Sequence, residues 1–136
     1  MAQPYKGERP AYVVVIDLDV RREIHTLATN SKLTVNQFVA DHLALHVGRP
    51  DLVEALGKGQ SGRFKARLFD PEVKTLTIRC PMELRAAIAE KASRCGTRYP
   101  ATYVIDFVNK LAKNGGAAVG ASEMEYAYQE ELLTSA

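Results

Sequence analysis

The sequence predicts a mainly α chain with short β, built from one strand–helix–turn–helix unit used twice. Three observations support that class. Lys74–Leu111 changes from an alternation of period two to an apolar spacing of three and four. Ala11–Val47 makes the same change in the same order. Moving the second stretch back by 64 positions lays Leu84 on Val20, Ile88 on Ile24 and Ala92 on Ala28. One extra residue in the second turn makes the offset 65, which lays Tyr103 on Phe38, Val104 on Val39 and Val108 on Leu43. Such self-similarity is the signature of an internal repeat. About forty residues of strand and two helices enclose too little core to stand alone, so each unit needs the other.

Met1–Pro10 is polar with two prolines and is read as a flexible arm. Residues 11–48 form the first unit. AYVVVIDL is a strand with Tyr12, Val14, Ile16 and Leu18 inward and Val13, Val15 and Asp17 outward. Val20, Ile24, Leu27 and Ala28 then mark a helix, NSKLT a turn, and Val35, Phe38, Val39, Leu43 and Val47 a second helix.

Residues 49–73 connect the units. LVEAL suggests one or two helical turns before Gly57, and GKGQSG is flexible by composition. RFKARLF alternates basic and apolar residues, which fits an extra edge strand but is better read as a solvated linker.

Residues 74–114 form the second unit. In KTLTIRCP, Leu76, Ile78 and Cys80 face inward and Thr75, Thr77 and Arg79 outward, and Pro81 cannot continue a ladder. A helix through Leu84, Ile88 and Ala92 stops at Cys95-Gly96. Another opens near Pro100 and carries Tyr103, Val104, Phe107, Val108 and Leu111. Residues 115–136 read as a loose glycine hinge and a short acidic helix, with Ser122 and Glu125 at capping-box spacing.

The net charge of +2 is unevenly spread. Lys74–Asn114 holds eight basic against three acidic residues, whereas the tail beyond Gly115 carries only glutamates, four of them. Positive charge concentrates in the second unit, where a polyanion would be met. Cys80 and Cys95, in a chain with no secretion signal, are read as core and turn residues of a reducing compartment, hence a cytoplasmic protein. No apolar run approaches a membrane span. His42 and His46 stand at metal-ligating spacing, but with only Asp41 as a weak third ligand they read as imidazoles on a packing helix. No nucleophile–base pair, carboxylate dyad or phosphate-cradling glycine loop occurs, so the chain reads as a non-enzyme with no cofactor or metal.

The doubled pattern resembles the ribbon-helix-helix family of Arc- and MetJ-like proteins, over two stretches that make up somewhat more than half the chain. The resemblance implies two ribbon-helix-helix repeats sharing an antiparallel two-stranded ribbon that enters the DNA major groove. It implies sequence-specific binding of double-stranded DNA by a transcriptional repressor or a plasmid or phage accessory protein. Thr75, Thr77 and Arg79 would read bases, since arginine bonds guanine bidentately and threonine offers a hydroxyl and a methyl. Phosphates would fall to the helix starts at Thr34, Val35 and Asn36, and at Arg98, Tyr99, Ala101 and Thr102, together with Lys74. The first strand departs from the pattern, because Val13, Val15 and Asp17 are poor readers of a hydrogen-bond code. Either it reads little or protein covers it. The pair of repeats would form within one chain, a pseudo-dimer that could self-associate further on DNA. The alternative is an antitoxin-like adaptor that holds a protein partner by its acidic tail.

Overall fold

The computed structural model describes residues 11–57 and 68–120. The expected flexible arm, the basic run at 63–67 and the expected acidic tail helix lie outside them. The described chain runs through β1 (Ala11–Val15), α1 (Leu18–Asn30), α2 (Val35–His46), a 3-10 turn at Pro50–Leu52, β2 (Thr75–Arg79), α3 (Met82–Cys95) and α4 (Pro100–Lys113). It is mainly helical with one small sheet. β1 and β2 pair antiparallel, in the register Ala11↔Arg79, Tyr12↔Ile78, Val13↔Thr77, Val14↔Leu76 and Val15↔Thr75.

The inner face of this ribbon carries Tyr12, Val14, Leu76 and Ile78, all buried, and Cys80 follows the same frame. They meet a core from all four helices: Ile24 and Ala28, Phe38, Val39 and Leu43, Leu84 and Ile88, and Tyr103, Val104, Phe107 and Leu111. The packing is crossed. β2 lies against α2 and β1 against α4, while α1 packs on α4 and α2 on α3. Within each half, α1 also packs on α2 and α3 on α4. Burial of this shared face, rather than helix propensity, holds helices of 12–14 residues that would be marginal alone.

Three expectations change. The first strand stops at Val15, since β2 offers no pairing residue beyond Thr75. Ile16 remains buried, but Asp17 becomes the residue preceding α1, and Leu18 opens that helix half-exposed instead of facing inward. The LVEAL segment forms no regular helical turn beyond the 3-10 turn that precedes it. The Asp41 carboxylate claims its amides: Oδ1 accepts from Glu54 N (3.0 Å), and Oδ2 accepts from Ala55 N (3.0 Å) and Leu56 N (2.8 Å). Amides held by a side chain are not free for helical bonding. Finally, the glycine hinge is packed where described. Gly115 and Gly116 adopt φ of 64° and 88°, which turns the chain back so that Val119 is buried. A Cβ at Gly116 would make only ordinary contact, 3.4 Å from Leu27 Cδ2, so it is the positive φ that favours glycine there.

His42 and His46 make contacts within the fold. His46 Nδ1 lies 2.8 Å from the Val119 carbonyl and Nε2 2.5 Å from the Tyr103 hydroxyl, which ties α2 to α4 and to the returning chain. His42 stacks on Phe38 with ring centroids 4.5 Å apart. No cluster of three metal-ligating side chains occurs among the described residues. Cys80 and Cys95 are not joined in a disulfide. Among the described residues, no helix is long and apolar enough to cross a membrane.

Candidate nucleic-acid interface

The outer face of the ribbon is open. Thr75 and Arg79 are exposed and Thr77 partly so, while Val13 and Val15 opposite them are 61% and 63% exposed. Alternation puts these five side chains on one surface because their neighbours in sequence fill the core. Pairing sets two rows: Ala11, Val13 and Val15 run beside Arg79, Thr77 and Thr75. One end of the face therefore carries Arg79 beside Ala11, and the other carries Val15 beside Thr75.

The start of α2 sits against the Arg79 end. Asn36 Oδ1 accepts from the Arg79 backbone N at 2.5 Å, fixing the helix terminus to the strand. Thr34 caps α2 by accepting from Gln37 N at 3.2 Å. The first backbone bond of the helix runs from Phe38 N to Thr34 O, so the Val35 and Asn36 amides come before the helical ladder begins. They carry the positive end of the helix dipole. Thr34, Val35, Asn36 and Thr77 also line a cleft of about 320 Å³ with Ile24, Phe69 and other residues of α1 and the connector. Phe69 closes one wall, with the Arg21 and Arg22 guanidiniums 5.3 and 5.2 Å from its ring centroid and His25 edge-on at 5.6 Å. Arg21 Nη1 also donates to the Val73 carbonyl.

The start of α4 is built differently. Pro100 has no amide, the Tyr99 amide donates to Thr97 Oγ1 (3.2 Å), and the Thr102 amide donates to the Tyr99 carbonyl (3.0 Å). That leaves the Ala101 amide, the Thr102 hydroxyl and the exposed Arg98 and Tyr99 side chains for an anion. Lys74, also exposed, stands just before β2.

Two further cations flank these elements without a motif to flag them. Lys32 is exposed in the turn before α2 and holds a left-handed φ of 58°, a conformation uncommon for a residue with a Cβ. Arg85 lies under the ribbon, with its guanidinium 4.3 Å from the Tyr12 ring centroid and Nη1 donating to the Ala11 carbonyl at 3.4 Å. Tyr12 Oη is buried with no hydrogen-bond partner among the described residues, and burial pushes its pKa above the usual phenolic value although Arg85 pulls the other way. Arg85 therefore braces the β1 side of the ribbon from below, whereas Asn36 holds the β2 side from its edge. The chain matches no family model, no curated protein and no solved structure.

Proposed function

We propose that this chain binds double-stranded DNA sequence-specifically as a tandem pair of ribbon-helix-helix repeats, acting as a transcriptional repressor or as an accessory protein of a plasmid or phage. One observation carries the reading. A two-stranded antiparallel ribbon presents Thr75, Thr77 and Arg79 outward beside an anchored helix N-terminus. A ribbon of this width fits the major groove, where an arginine reads guanine and a threonine reads base edges or a thymine methyl. The Val35 and Asn36 amides at one helix start, and the Ala101 amide with Arg98 at the other, would hold phosphates on either side. Lys74 and Lys32 add charge. The crossed packing supports the tandem reading, since strand and helix of opposite halves complete one another as two copies of the unit would.

The test is selection of bound duplexes from a random pool, followed by titration of the selected site at several salt concentrations. Enrichment of a defined site, with affinity falling steeply as salt rises, is the expected result. Loss of one phosphate contact, as in Lys74→Ala, should lower the magnitude of the salt slope by about one without changing the preferred sequence. A pool that returns no consensus, or binding indifferent to salt, would overturn the reading. The acidic tail that an adaptor would use lies outside the described residues.

A further inference from the structure

We propose that the ribbon reads a non-palindromic site in which thymine methyl groups specify the part of the site met by Val13 and Val15. The inference rests on the DNA-binding reading above and names what that surface recognises. The offset of 64 that relates the two strands places Val13 at the position of Thr77 and Val15 at the position of Arg79. A symmetric pair would offer the same reader twice, whereas this chain offers an arginine at one end of the ribbon and a valine at the other. Valine neither donates nor accepts a hydrogen bond from its side chain. Yet Val13 and Val15 are more than half exposed on the one surface that also carries Arg79. In the major groove the apolar feature on a base edge is the thymine C5-methyl.

The register gives the spacing. Ala11, beside Arg79, and Val15 are four residues apart on β1. That is about 13 Å of strand, or on the order of four base-pair steps at 3.4 Å each. The expected site carries a guanine under Arg79, then thymine under Val13 near the centre and under Val15 at the far end. Thr75 and Thr77, opposite the valines, can supply their own methyls or hydroxyls to the same base pairs.

The experiment replaces each thymine of the selected duplex in turn by deoxyuridine, which removes the methyl and leaves every hydrogen-bonding group. Loss of one buried methyl should weaken binding about fourfold, from roughly 0.8 kcal/mol per CH₂ group. The loss should be confined to the centre of the site and the half opposite the guanine. In Val15→Ser or Val13→Ser, both exposed changes that spare the core, the uracil penalty at the matching position should vanish. If uracil duplexes bind as tightly as thymine duplexes, or the selected site is palindromic, the thymine inference fails while DNA binding stands. A chain that binds no duplex at all removes both. A chain that loses a co-purifying protein on Val15→Ser, and binds no DNA, assigns the valines to a protein contact and overturns the inference.

Discussion

Asp41 offers the sharpest test of how the fold returns its second strand to the first. It is 1% exposed on α2, and besides the Glu54, Ala55 and Leu56 amides it accepts from Gln37 Nε2 at 2.7 Å. Asp41→Asn keeps the shape but turns one oxygen into an NH₂ group. Whichever way the amide is placed, one pair of donors then faces another donor. Two charge-assisted bonds at about 1.5–3 kcal/mol each would be lost if the turn stayed rigid. The turn can instead pull away and expose Val53, whose burial stabilises by roughly 1.5–3 kcal/mol. The smaller route limits the cost, so the expected loss is about 1.5–3 kcal/mol, a fall in Tm of roughly 5–10 °C for a chain of this size. Thermal melts followed by circular dichroism measure it. Gln37→Ala, which removes one bond to the same carboxylate, should cost at most about 1.5–3 kcal/mol. An Asn variant melting within two degrees of the parent would show that the connector is held by something other than this carboxylate.

Ile78, fully buried and paired with Tyr12, should cost about 2–5 kcal/mol when cut to alanine; a parental melting curve would invert the strand frame. Arg79→Ala should weaken the selected site by about 1–3 kcal/mol with an unchanged melt, because Asn36 bonds the Arg79 backbone and not its side chain; equal affinity would remove Arg79 as a reader. Burial holds the His42 pKa below its ordinary 6.5, although the Asp41 carboxylate pulls it upward. The unfolded chain therefore takes up this proton first as pH falls through 6.5, and native stability drops below that pH. His42→Phe should flatten the fall in Tm between about pH 6.5 and 5, and an unchanged slope would place the acid sensitivity elsewhere. Sedimentation at micromolar concentration should give a monomer near 15.0 kDa, and an obligate dimer would mean that β1 and β2 pair between chains.

The helices and β2 were legible because each encodes its burial in a local period. Leu84, Ile88 and Ala92 are buried on α3, Tyr103 through Leu111 supply the core face of α4, and Thr75 and Arg79 stay outside as the alternation requires. The end of β1 was not legible, since alternation continues through Asp17 and Leu18 while the partner strand does not. Strand length depends on the partner, which no local window contains. Asp41 hid for a similar reason. An aspartate inside a helix has no local mark of its use, and the amides it captures lie 13 to 15 residues away. The His46 bonds to Tyr103 and Val119 span 57 and 73 residues, so only the i, i+4 spacing with His42 was visible, and it marked a packing helix without showing the clamp. On the candidate interface, the outward threonines and Arg79 followed from period two alone. The bond that locks the start of α2 to β2 needed the fold.

Joining both halves in one chain changes what each half is free to become. Because α1 packs on α4 and α2 on α3, each half buries part of its apolar face against the other, and a tether supplies that partner at an effective concentration on the order of millimolar. On the tandem-repeat reading, two separate identical copies would have to satisfy both sides of the pair with one sequence. Here matched positions differ: Tyr12 braced by Arg85 stands where the other strand has Leu76, and His46 bonded to Tyr103 stands where the other helix has Leu111. The helix starts differ as well, with a threonine cap at Thr34 and a proline-led turn after Tyr99. The same freedom extends to the outer face, where Val15 and Arg79 occupy equivalent places with opposite chemistry. On the proposed reading, a palindrome would satisfy only one of these two residues, because no single base pair offers both an arginine and a valine their best contact. The departure of the first strand from the second is then a source of specificity, carried by a core that both halves build in common.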